Sequence, residues 1–136
     1  MNDLTHATTG AAIGYKVGNP ILAFIFAIIF HLILDKIPHF WPGLQKNKRY
    51  YVIANYIFII GVLVYILNIN LKNQTGIIFG AIGGLIVDII LVIIPPIYKS
   101  KLGKWHNKRQ IHSRNILYIW IDLAITALAL VILFYF

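Results

Sequence analysis

Four stretches of this chain, residues 20–37, 50–68, 76–97 and 115–136, are apolar over about the 20 residues that a bilayer crossing needs. Inside three of them sits a carboxylate: Asp35, Asp88 and Asp122. Only one other acidic residue exists in the chain, Asp3. A carboxylate in hydrocarbon costs several kcal/mol or more, so it is rare there and marks function. Hydrophobic residues make up 60% of the 136, more than a soluble domain of this size can hide, so a bilayer is the expected solvent. With no cysteine, disulfides and thiolate metal sites are excluded.

Residues 4–18 form a weaker, fifth apolar element. As a helix it is about 22 Å long, short of the roughly 30 Å hydrocarbon core. It reads as a short helix lodged in the bundle, with a re-entrant segment as the alternative. Gly18-Asn19-Pro20 then turns the chain into the next span. The expected fold is an all-α membrane protein: four transmembrane helices plus a short N-terminal glycine-striped helix, five in all, in one domain.

Ten of the twelve bases fall in or beside two segments, 38–49 and 98–114, and only Lys16 and Lys72 lie elsewhere. If each span crosses once, both segments lie on one side, and the positive-inside rule makes that side cytoplasmic. If the short helix crosses too, the N-terminus is cytoplasmic and the C-terminus outside. The +8 net charge is explained by this rule and by anionic lipid at the cytoplasmic face. Membrane lipids are thus the expected partner and nucleic acid is not, with self-association left open.

His6, Gly10, Gly14 and Gly18 are spaced by four, and so are Gly76, Gly80, Gly84 and Asp88. Residues four apart share a helix face, and small residues at that spacing let helices in lipid approach closely. Each helix then carries a glycine groove with one polar residue at an end. Packed antiparallel along the glycines, the two bring His6 and Asp88 to the same cytoplasmic end.

His31 and Asp35 are one turn apart on a single face. Pro38 ends that helix, which leaves His39 on a turn beside Phe40, Trp41 and Pro42. Counted from the cytoplasmic ends, His31, Asp35, Asp88 and Asp122 lie within about two turns of depth. His6 joins them, and His106 and His112 lie in the basic segment over that end. Without cysteine, histidine and aspartate are the usual ligands of a divalent ion, which also offsets the cost of burying carboxylates. Competing readings are structural. His31–Asp35 can be a buried hydrogen-bonded pair, Asp88 or Asp122 can pair with Arg114 or a lysine, and His106 and His112 can be solvated residues.

Thr5-His6 followed by Gly10 and Gly14, His31-Leu32-Ile33-Leu34-Asp35, Val87-Asp88, and Arg109-Gln110-Ile111-His112-Ser113 together resemble the motifs of the prokaryotic inner-membrane metal-dependent hydrolases. The resemblance implies a hydrolase at the cytoplasmic face of a prokaryotic membrane. Its ion is zinc, or else manganese or iron, and its metal ligands are drawn from His6, His31, Asp35, Asp88 and His112. Asp122 or His39 handles the proton, and Lys108, Arg109 and Arg114 attract an anionic substrate such as a lipid phosphate. The rival expectation is a non-enzymatic membrane module, either an ion or proton carrier or a helical subunit of a larger complex, since intramembrane Asp and His also build proton relays.

Overall fold

The computed structural model describes residues 3–40, 48–68, 72–113, 115 and 117–135. They form seven helices and one two-stranded pairing: α1 (Asp3–Val17), α2 (Pro20–Leu34), β1 (His39–Phe40), α3 (Lys48–Asn68), α4 (Gln74–Ile93), α5 (Pro95–Lys99), α6 (Lys101–Arg109), β2 (His112–Ser113) and α7 (Leu117–Tyr135). The fold is all-helical apart from those strands. Among the described residues, two helices are long and apolar enough to cross a membrane: α4 through Gln74–Leu91, and α7. The apolar parts of α2 and α3, Pro20–Leu34 and Tyr56–Ile66, are shorter.

The short N-terminal element is the hub of the fold. α1 packs against α4, α2, α7 and α3, so the least apolar of the long helices sits in the middle. The glycines explain how. A Cβ on Gly10 would fall inside the carbonyl of Gly80, one on Gly14 inside that of Gly76, and one on Gly84 inside that of His6. The two stripes therefore mesh antiparallel, as expected, with backbone against backbone. Gly83, one position round α4, does the same toward α2, where a Cβ would lie 2.6 Å from the Phe24 carbonyl oxygen.

At the end of the bundle away from the basic segments, the turns are locked by side chains. Gly18 adopts φ 71°, which a residue with a Cβ takes only at a cost. Asn19 then caps α2, its side-chain oxygen accepting from the amides of Ile21 and Leu22 at 3.0 and 3.1 Å, with Pro20 opening the helix. The Asn73 side chain donates to the Tyr15 carbonyl at 2.8 Å, which ties the start of α4 to the end of α1.

Two expectations change at the other end. The first strong span was drawn to Ile37, but its helix stops at Leu34 and Asp35 is the C-cap, because Pro38 disfavours helix before it. The segment 98–114, drawn as a loop, is largely helical: Pro95 opens α5, and Ser100 caps α6 by accepting from the Gly103 amide at 3.3 Å. This helix was missed because its apolar stripe is only a few residues wide among lysines. β1 and β2 pair in parallel, His39 opposite His112 and Phe40 opposite Ser113, and the His39 amide donates to the Ile111 carbonyl at 3.1 Å.

Apolar side chains crowd the outside of the bundle. Ile21, Leu22, Ile25, Phe26, Ile29 and Ile33 face outward on α2, as do Ile57, Phe58 and Ile60 on α3 and Leu123, Leu128 and Val131 on α7. The core contacts are made instead by alanines and glycines with a few large residues such as Ile66, Ile77 and Leu133. An interior built of small residues with the large apolar ones outside inverts the soluble pattern.

Candidate metal centre

Where α1, α2, α4 and α6 meet, three imidazoles and two carboxylates converge. Asp35, at the end of α2, holds the middle. Its Oδ1 lies 3.2 Å from His6 Nε2, and its Oδ2 lies 3.3 Å from His31 Nε2 and 3.6 Å from His106 Nδ1. Asp88, on α4, lies beside it, with Oδ1 3.1 Å from His106 Nε2 and 3.9 Å from His31 Nε2. The rings of His6 and His31 stand 4.0 Å apart and those of His31 and His106 5.6 Å, so the three imidazoles form a short column. His6, His31, Asp35 and His106 are buried, while the Asp88 side chain keeps 16% of its surface exposed.

Hydrogen bonding fixes which ring atoms face the centre. His31 Nδ1 lies 2.7 Å from the Gly84 carbonyl oxygen. A carbonyl only accepts, so Nδ1 carries the proton, and in the neutral ring Nε2 presents a lone pair to Asp35 and Asp88. His106 Nε2 lies 3.1 Å from both Asp88 Oδ1 and Gln110 Nε2; in the tautomer that donates Nε2–H to Asp88, Nδ1 presents a lone pair to Asp35 Oδ2. His6 Nδ1, His6 Nε2, His31 Nε2 and His106 Nδ1 are buried and have no hydrogen-bond partner among the described residues. Lone pairs aimed at carboxylate oxygens across 3.3–3.6 Å repel unless positive charge lies between them.

The donor set fits a divalent ion. Two groups of three ligand atoms lie close enough to share one: His31, Asp35 and His106, and His6, His31 and Asp88. Tetrahedral zinc with ligands at about 2.0–2.1 Å has edges of roughly 3.4 Å. The spacings from Asp35 Oδ2 to His31 and His106 are near that edge. The Nδ1–H of a ligating histidine bonded to a backbone carbonyl, as His31 has with Gly84, is the usual way of fixing such a ligand.

Four of the five expected ligands, His6, His31, Asp35 and Asp88, therefore come together. The side chain of the fifth, His112, lies outside the described residues, although its backbone pairs with β1. His106, weighed as a solvated residue, is buried in the cluster instead; its place on α6 was hidden while 98–114 read as loop. The bland reading of His31–Asp35 as an isolated pair gives way, since His6 and His106 share the same carboxylate.

The two residues expected to move a proton lie elsewhere in the local packing. Asp122 is buried on α7, where its backbone carbonyl accepts from the Thr5 hydroxyl at 3.4 Å, and Thr5 also bonds Thr126 at 2.9 Å. His39 is buried in β1 with Nδ1 3.3 Å from the Ile37 carbonyl oxygen. Neither belongs to a converging ligand group among the described residues. Lys108 is exposed on α6, the side chain of Arg109 on the same helix is not described, and Arg114 lies outside the described residues. Comparison with protein-family models, curated proteins and solved structures finds no match for the chain.

Proposed function

We propose that this chain is a multi-pass membrane protein whose His/Asp cluster binds a divalent metal ion and hydrolyses an anionic substrate at the cytoplasmic surface. The observation that carries the reading is the set of buried imidazole nitrogens, without a hydrogen-bond partner among the described residues, that lie 3.2–3.6 Å from the oxygens of Asp35. Membrane insertion of α2, α3, α4 and α7 is supported by their apolar outer faces. The two shorter apolar stretches reach through the bilayer with their flanking residues and local thinning. Hydrolysis is supported by the motif resemblance in the sequence.

In this reading His31, Asp35 and His106 hold the ion, with His6 against the second oxygen of Asp35. Zinc suits the set best, and manganese or iron also take N and O donors. When bound, such an ion lowers the pKa of a water and polarises the substrate. Two carboxylates and a divalent cation leave the site near neutral, which relieves the burial cost of both. Asp88, the more exposed carboxylate, takes the proton from the attacking water; its bond to His106 holds it in place. The lysines of α6, anionic lipid beside them, raise the local concentration of a phosphate-bearing substrate.

A second reading, proton or ion carriage, draws on the imidazole column itself. It requires a path to the opposite face, and the backbone contacts of the glycine seam leave no room for one between α1 and α4.

The test is the metal content of protein purified without chelator, with hydrolysis of bis(p-nitrophenyl) phosphate followed in parallel. The parent should hold about one ion per chain. His31→Ala should lose both ion and activity, and Asp88→Asn should keep the ion and lose activity. A metal-free, inactive parent would overturn the proposal.

A further inference from the structure

α6 has two chemically different sides. Gly103 and His106 are buried, and Gln110, just past the helix, lies with its Nε2 3.1 Å from His106 Nε2. Lys101, Lys104 and Lys108, spaced by three and four, are exposed along the other side, with Trp105 beside them at 44% exposure. Three cations on one helix face call for anions. The chain has only four carboxylates, and none lies between Asp88 and Asp122. Asp35 and Asp88 already face imidazoles. Asp3 lies on α1 and Asp122 on α7, and among the described residues no ion pair joins a carboxylate to the lysine stripe, which leaves it open to anions from outside the chain.

Position selects its source. α6 follows α4, one of the two described helices long and apolar enough to cross a membrane, after only Ile94, the five residues of α5 and Ser100, which keeps it at the level of the membrane surface. A tryptophan among lysines suits that level, with the ring among headgroups and the ammonium groups on phosphates. Among the described residues, α6 packs on α5, His106 joins it to the Asp35–Asp88 pair, and the β2–β1 pairing lies just beyond its end.

We propose that α6 is a latch closed by anionic phospholipid: the Lys101–Lys104–Lys108 face docks on headgroup phosphates, and that docking seats His106 between Asp35 and Asp88. Lipid composition thereby controls whether the cluster is complete. This rests on the membrane reading above but not on metal binding or hydrolysis.

Hydrogen exchange of the α6 amides tests it in the whole protein, in nanodiscs of phosphatidylcholine alone or with phosphatidylglycerol added. Three lysines near an anionic surface should slow exchange roughly 100-fold. The slowing should shrink with salt and vanish in the triple variant K101Q/K104Q/K108Q. Equal exchange in the two membranes overturns the latch without any variant. Slowing by a short oligoribonucleotide but not by phosphatidylglycerol also overturns it. A cobalt absorption spectrum, taken in the same discs, separates the claims. Lipid-dependent slowing without cobalt binding leaves the latch standing and removes the ion site; cobalt binding with lipid-independent exchange does the reverse. A chain that stays soluble without discs sinks the membrane reading and the latch together.

Discussion

Asp35 turns both oxygens to imidazoles from three different helices, so one side chain joins α1, α2 and α6. Asp35→Asn removes the charge but keeps the shape. It should lower affinity for cobalt or zinc by at least about 100-fold while the fold persists, as read by competition with a coloured chelator. His106→Ala should weaken metal binding to a similar degree, whereas His39→Ala, whose ring lies on the Ile37 carbonyl, should leave it unchanged. Gly84 serves the site without touching it through a side chain. Its carbonyl accepts from His31, and its bare Cα lets the His6 backbone approach. Gly84→Val should push α1 from α4, costing about 1–3 kcal/mol of stability, visible as a lowered Tm. It should also separate His6 from Asp35.

At the scale of elements, caps and small residues decide where helices begin and how near they come. Asn19→Ala should cost about 1 kcal/mol in an unfolding titration, since two amides at the start of α2 lose their acceptor. The glycine stripes could be read in the sequence because a spacing of four maps onto one helix face, whatever the helix meets. The His31–Asp35 pairing was readable for the same reason. His106 was not: its helix is short and basic, with little apolar periodicity to expose it. Nor was the β1–β2 pairing, which joins two-residue strands from distant parts of the chain and leaves no repeating pattern. Which of the five histidines would share Asp35 depended on these long-range placements, so the sequence favoured His112 as a ligand over His106.

For the whole molecule, small residues lie inside and large apolar ones outside, and two helices are long and apolar enough to cross a membrane among the described residues; the proposed lipid surroundings rest on these two features. The absence of cysteine permits a direct check of topology. Single cysteines at Lys16 or Lys72 should react with an impermeant maleimide from one side of sealed vesicles, and one at Lys104 only from the other. The parallel β1–β2 pairing has a further consequence for synthesis. A nascent chain that has emerged as far as Asp88 already carries His6, His31 and both site carboxylates, but nothing yet holds the fourth wall. Only when the ribosome has delivered residues through Ser113 can the clip fasten and bring His106 home. An ion held by His106 as proposed would therefore load only after α6 and β2 have been made.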